Sequence, residues 1–296
     1  LEEHAPFQEG NVGEKQPLTV KHHNCPSPDT SMHPSLQNAL EALSQSRDPR
    51  TTGWLLTGNP VAIIILICFY IYFVKYWGPE WMRDRKPFQL TAVMRVYNIA
   101  MIGLHAFFAA FFFGNTYLAG NYSWFCTGID FKPTSQSMKL LNGCWFYFFV
   151  RIGEFLDTVF FVLRKKNSHV SVLHIVHHSI IVWNGWLGLT FGAEGQVMLA
   201  ICINSFVHVI MYGYYFLASF GPAVAKFLWW KKYLTQFQIG QLTFFVMYAM
   251  IPMFYDCGYP KVMTYIGLIE AVIILALFCN FYLSAYTKRQ QRLKKA

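Results

Sequence analysis

Seven apolar runs, each long enough to cross a bilayer as a helix, follow one another between residues 60 and 286 and confine the chain to a membrane-embedded bundle. They cover roughly residues 60–77, 91–114, 141–163, 169–190, 196–219, 233–254 and 261–286. Each approaches the ~20 residues that a spanning helix needs. The run over 169–190 is the least apolar, because ring and amide groups interrupt it. Of the 296 residues, 54% are hydrophobic and only 13% are charged. A soluble domain carries about 25% charged residues, so this chain lacks the polar groups to solvate its surface in water. The expected fold class is an all-α membrane protein with seven transmembrane helices.

Three domains follow from composition. Residues 1–50 are polar and rich in Pro, His and Gln, with no apolar core of the signal-peptide kind, and are expected to be disordered. Residues 51–287 hold the helical domain, and residues 288–296 form a basic tail.

The net charge of +9 does not point to nucleic acid, because the basic residues sit in short clusters between apolar runs. Arg83, Arg85 and Lys86, then Arg164, Lys165 and Lys166, then Lys226, Lys231 and Lys232 follow alternate runs. The tail adds Lys288, Arg289, Arg292, Lys294 and Lys295, while the opposite connections hold only Lys132, Lys139 and Lys261. The positive-inside rule then places the C-terminus in the cytosol and the N-terminus in the lumen. Asn121-Tyr122-Ser123, the one N-x-S/T acceptor, falls on the lumenal side. So do Cys126 and Cys257, in an oxidising space where they either pair or remain free thiols. Cys68, Cys144, Cys202 and Cys279 lie in apolar runs as small packing residues, and the absence of CxxC spacing argues against zinc. Arg292-Leu-Lys294-Lys295 suggests retrieval to the endoplasmic reticulum.

Four runs carry polar stripes at helical spacing. His174-Ile-Val-His177-His178 puts three imidazoles on one helix face. Arg151, Glu154, Asp157 and Thr158 form a second stripe, Asn204, His208, Tyr212 and Tyr215 a third, and Thr235, Gln238 and Gln241 a fourth. A single stripe is ordinary helix–helix glue. Four in succession imply a shared polar cavity, and ionisable groups at membrane depth mark function. Phe146, Phe148, Phe149, Phe155, Phe160 and Phe161 are available to surround an alkyl chain, or simply pack.

Three chemistries remain open at this point. A membrane di-iron oxidase uses histidine boxes, but one HxxHH with His105, His169 and His208 under-supplies it. Nucleophilic catalysis fits better: there is no G-x-S-x-G serine, no Cys shares a stripe with a His, and imidazole can take an acyl group from a thioester and pass it on. Glu154 and Asp157 would fix the tautomer of the attacking ring or pair with Arg151. A seven-span receptor or transporter with histidines lining a ligand or proton path is the non-enzymatic alternative.

Several ordered motifs carry a resemblance. They are Arg151-Ile-Gly-Glu154-Phe-Leu-Asp157-Thr158, Phe160-Phe-Val-Leu-Arg164-Lys-Lys166-Asn-Ser168, the HxxHH box, Asn204-Ser-Phe-Val-His208-Val-Ile-Met-Tyr212-Gly-Tyr-Tyr215, Leu228-Trp-Trp-Lys231-Lys232-Tyr-Leu-Thr235 with Gln238 and Gln241, and Ala285-Tyr-Thr-Lys288. From about Asp48 to the tail the chain resembles the very-long-chain fatty acid elongases, the condensing 3-ketoacyl-CoA synthases of the endoplasmic reticulum membrane.

The resemblance implies seven helices, six of them forming an inverted barrel around a substrate tunnel. It implies that malonyl-CoA loses CO2 and adds two carbons to an acyl-CoA, with no cofactor and no metal. His177 would be the acyl-accepting nucleophile and His208 would assist condensation. His174, His178 and Asn204 would orient groups, with Glu154 and Asp157 in support. Arg151, Tyr212, Tyr215, Thr235, Gln238 and Gln241 would contact substrate, and Arg164, Lys165, Lys166, Lys231 and Lys232 would meet the CoA phosphates. The partners implied are the lipid bilayer and the ketoacyl reductase, dehydratase and enoyl reductase of the cycle; a homodimer is left open. Two departures stand out: Arg151 replaces the usual Lys, and His169 the usual Gln. Arg keeps the charge but cannot give up its proton.

Overall fold

The structure is a computed structural model that describes residues 44–287. Contacts divide the chain at Ser44, and the helical body begins at Gln45. Residues 1–43 and the tail 288–296, with the disorder and retrieval expectations attached to them, lie outside the described residues.

The helices are α1 (Val61–Met82, with a π-helical stretch Phe73–Trp77), α2 (Thr91–Asn115), α3 (Ser135–Gly153), α4 (Phe155–Leu163), α5 (Val172–Phe191), α6 (Val197–Ala218), α7 (Lys231–Phe254) and α8 (Lys261–Tyr282). No strand occurs among the described residues. By length and composition five of them are apolar enough to cross a membrane: α1, α2, α6, α7 and α8, the last extending to Tyr286. Of the other three, α4 has only 9 residues, α3 carries Lys139 and Arg151, and α5 carries three histidines.

Local chemistry sets the ends where they differ from the apolar pattern. The third helix starts at Ser135, not near 141, because Thr134 and Ser137 form a reciprocal capping box. The expected single helix over 141–163 is interrupted at Glu154, which ends α3 and opens α4 just after Gly153, a weak helix former. The fifth helix starts at Val172 because the Ser171 side chain accepts the His174 N–H at 3.2 Å. His169 therefore sits in the preceding 3-10 turn, outside the helix that holds the other three histidines.

In a bilayer helices associate through close packing rather than through escape from water. The α2–α6 contact is the most extensive, and α7 pairs with α8. In addition α3 packs on α2 and α5, α5 on α8, α6 on α7, and α1 on α5. Gly185 of α5 is one of the points that permit close approach: a Cβ there would collide with the Phe148 ring of α3.

The chain before α1 is part of this body. Asp48 and Arg50, inside the segment expected to be disordered, are buried. Arg50 pairs with Asp48 at 2.7 Å and with Glu194, in the α5–α6 connection, at 3.0 Å, and donates to the Asp130 carbonyl at 2.9 Å. Burial raises the Glu194 carboxyl pKa, against the lowering effect of Arg50. At the same end a disulfide joins Cys126, between α2 and α3, to Cys257, between α7 and α8. Asn121 is exposed in that α2–α3 connection.

Candidate active site

Glu154 gathers the polar stripes. The helix break places its carboxylate, 0% exposed, where α2, α3, α5 and α6 meet. Oε1 lies 2.7 Å from Arg151 Nη1, 3.0 Å from His105 Nε2 and 3.9 Å from His208 Nε2. Oε2 lies 3.6 Å from His178 Nδ1, too far for a hydrogen bond. A buried carboxylate is tolerable when a cation and further donors compensate it. Arg151, 3% exposed, is that cation.

The His208 tautomer follows from its partner. Nδ1 lies 2.8 Å from the Asn204 carbonyl, which can only accept, so Nδ1 carries the proton. In the neutral ring Nε2 is then left with its lone pair. The His105 ring centroid lies 4.8 Å from that of His208. Within the box, the His174 and His178 rings lie 4.4 Å apart and those of His177 and His178 5.3 Å apart.

Unpartnered buried polar atoms concentrate here. Arg151 Nη2, Glu154 Oε2, His105 Nδ1, His174 Nε2 and His178 Nδ1 have no hydrogen-bond partner among the described residues. Such atoms are costly and scarce in folded proteins, so a cluster marks a place that handles protons or ligand.

A cavity of about 290 Å³ opens from this cluster. At one end it is lined by His177, Arg151 and Asn204; Asn184 and Glu270 lie farther along, and Gln196, Tyr248 and Tyr259 line the other end. The Gln196 amide donates toward the Tyr248 and Phe125 carbonyls and accepts from the Thr127 N–H, which ties that end to the disulfide-bearing loops. Most of the remaining lining is aliphatic, with Phe148 and Phe245. The shape suits an apolar chain whose polar head lies near His177.

The expected site residues divide accordingly. His177, Arg151 and Asn204 line the cavity, with His174, His178, His208 and Glu154 beside them. Asp157 and Tyr212 face each other instead: the Tyr212 hydroxyl donates to Asp157 Oδ2 at 2.7 Å, and Tyr212 is 0% exposed. Tyr212 thus braces a carboxylate and does not line the cavity. Tyr215 packs against Tyr212 and is partly exposed. Thr235 donates back to the Lys231 carbonyl within its own helix, Gln238 is half-buried, and Gln241 is buried with Oε1 unpartnered. None of these three lines the cavity. Of the six phenylalanines, Phe148 does; Phe146 and Phe149 line a separate groove between α2 and α3.

The basic residues are partly engaged. Arg164 reaches Met94 Sδ at 3.1 Å, and Lys165, with a left-handed backbone, donates to the Arg83 carbonyl at 2.8 Å. Lys232 Nζ lies 6.0 Å from the Tyr282 ring centroid. Lys166 and Lys231 are exposed. Partial desolvation, then Lys231, Lys166 and Arg164, lower the pKa of His169, which is otherwise exposed.

Asn184 and Glu270 were not among the candidates read from the sequence, and His105 entered there only among the histidines too few for an iron site. His105 and Glu154 are brought together across two helices that nothing local connects. Glu270 did leave a signal, as a lone carboxylate in an apolar run. Among the described residues no group of three His, Cys, Asp or Glu side chains is arranged to hold a metal ion.

Residues 55–294 match the family described as ELO: GNS1/SUR4 family. A very long chain fatty acid elongase 4 of Mus musculus is 39% identical over 244 residues, which is 82% of this chain and 78% of the relative. An elongase 7 of Rattus norvegicus is 39% identical over 246 residues, covering 82% and 87% of the two chains. An elongase 1 of Homo sapiens is 36% identical over 256 residues, covering 85% and 90%.

Proposed function

Since the chain belongs to the ELO: GNS1/SUR4 family, we propose that it is the condensing enzyme of a fatty acid elongation cycle, a multi-pass membrane protein acting on long-chain acyl-CoA. The observation that carries this reading is His177 at one end of a long, mostly apolar cavity, with Arg151 and Asn204 at the same end.

In the proposed reaction His177 attacks the acyl-CoA thioester carbonyl, forming an acyl-imidazole and releasing CoA as thiol. Malonyl-CoA then loses CO2, and its enolate carbon attacks the acyl carbon, returning the electron pair to His177 and giving 3-ketoacyl-CoA. Splitting the reaction in two avoids one difficult step. Arg151 Nη2 and the Asn204 amide are donors for the oxygens that become negative in each half. His208 Nε2, with its lone pair, would exchange the proton. The apolar walls keep water from the acyl-imidazole. Exposed Lys166 and Lys231 would meet CoA phosphates at the open end, with Arg164, Lys165 and Lys232 nearby.

The succession of packed helices α2, α3, α5, α8, α7, α6 and back to α2 supports a six-helix barrel, with α1 outside. Counting α3 and α4 as one crossing, and α5 as another, gives seven spans. Under the proposed orientation the disulfide, the Arg50 clamp and Asn121 are lumenal, the open end and the C-terminus are cytosolic, and the membrane is that of the endoplasmic reticulum. Its product would pass to a ketoacyl reductase, a dehydratase and an enoyl reductase; self-association as a homodimer is part of the same proposal, as is glycosylation at Asn121. No observation favours the oxidase or the receptor.

The test is intact-protein mass spectrometry after incubation with a long-chain acyl-CoA alone. An acyl adduct on His177, discharged by malonyl-CoA, is expected, as is its loss in His177→Ala. Product without an adduct would keep the elongase and remove the covalent step. Neither product nor adduct would overturn the reading.

A further inference from the structure

Glu270 is out of place in α8, where the residues around it are apolar. It lines the cavity, and its Oε2 is buried without a hydrogen-bond partner. Across from it, the Asn184 side chain of α5 reaches the carboxyl group. Around them Ile181, Ile201, Phe245 and Ile274 offer no donor or acceptor on their side chains, while on α3 the Tyr147 hydroxyl accepts from Ser205 and the Cys144 thiol donates to the Ala193 carbonyl. Nor do Glu270 and Asn184 take part in the Glu154 cluster, so the condensation as derived has no use for them.

Their depth follows from helix geometry. Asn184 comes two turns after His177 on the same helix, which at 1.5 Å per residue is about 10 Å farther in. An extended alkyl chain advances ~1.25 Å per carbon, given C–C bonds of ~1.5 Å. The pair therefore faces roughly the eighth to tenth carbon of an acyl group attached at His177. Methylenes passing there would leave Glu270 Oε2 without a partner. A hydroxyl at that carbon would donate to it. Sites built to hydrogen-bond a substrate group discriminate against the analogue without it far better than apolar pockets discriminate by size.

We propose that Glu270 and Asn184 form a polar station inside the acyl passage that selects acyl chains bearing a hydroxyl near mid-chain. This rests on the elongase reading above and specifies the substrate class of that same site.

The experiment is a competition in the full-length protein between a saturated acyl-CoA and hydroxyacyl-CoAs of equal length, hydroxylated near carbon 4, carbon 9 or carbon 14. Relative kcat/KM is read from product masses. The wild type should favour the carbon-9 hydroxyl at least tenfold over the other two positions, and Glu270→Leu should erase that positional peak. Glu270→Gln, which keeps an acceptor, should restore part of it. Because Glu270→Leu removes the partner of the Asn184 amide, folding is checked by gel filtration in detergent, and positional dependence is a readout that a merely structural role would not move. A flat positional profile in the wild type, or an unchanged peak in Glu270→Leu, would overturn the station and leave the elongase standing. No elongation of any acyl-CoA by the wild type would overturn both.

Discussion

Arg151 and Glu154 stand one turn apart across the break between α3 and α4, and their 2.7 Å ion pair leaves Nη2 of Arg151, a cavity-lining residue, without a partner. One nitrogen holds the carboxylate while the other has no protein partner. Removing one partner of a buried pair strands the other charge, at about 3–5 kcal/mol. Glu154→Gln should therefore lower thermal stability in detergent markedly. Arg151→Lys keeps the charge but has no second nitrogen; it should stay folded and lose about tenfold in kcat, the equivalent of ~1.4 kcal/mol. Equal loss of stability in both variants would show that the free nitrogen has no separate role.

His105 is a second donor to Glu154, from a helix whose remaining buried residues are mostly apolar. A hydrogen bond to a charged group contributes about 1.5–3 kcal/mol. If that bond positions the cluster, His105→Phe should slow turnover about 10- to 100-fold, and His105→Gln, which retains a donor, should recover much of the loss. Steady-state kinetics with an unchanged KM for acyl-CoA would separate positioning from binding.

Arg50 offers a stability test away from the chemistry. Arg50→Met leaves Asp48 and Glu194 buried without their cation. The expected loss is about 3–5 kcal/mol, read as a lower unfolding midpoint. The triple variant Asp48→Asn, Arg50→Met, Glu194→Gln should regain part of it, because no unpaired charge remains.

The pH dependence to look for concerns His169, outside the spans. Partial desolvation of this otherwise exposed ring first, then Lys231, Lys166 and Arg164, lower its pKa from the ordinary 6.5. Above 6.5 the ring is neutral in both states and contributes nothing. Below it the unfolded chain takes up the proton more readily, so stability falls with pH until the folded-state pKa is passed. Melting temperatures across ~pH 7 to ~pH 5 should therefore fall less steeply in His169→Gln than in the wild type. Parallel slopes would refute the assignment.

Much of the site was legible because helical spacing alone aligns His174, His177 and His178, and aligns Arg151 with Glu154. Which groups those faces meet was not legible. Tyr212 lies on the expected stripe, yet its hydroxyl is committed to Asp157 on a helix 55 residues earlier in the chain. Periodicity gives a direction; it does not say whether the tip of a side chain is already engaged. The Asp48–Arg50–Glu194 clamp was hidden for a similar reason. Its first two members fall in a polar stretch, and their burial comes from partners far along the chain, Asp130 at 80 residues and Glu194 at 144 residues from Arg50. The helix starts at Ser135 and Val172 are set by local side-chain caps, the Thr134–Ser137 box and Ser171, which an apolar window does not register.

The absent side chain at Gly185 has a consequence for how such a passage changes over generations. A methyl group there has no room unless the Phe148 ring gives way, and both residues line the cavity. One codon therefore acts as a gauge on the bore: a gene copy that acquires alanine at 185 changes the calibre of its tunnel while every group that performs chemistry stays in place.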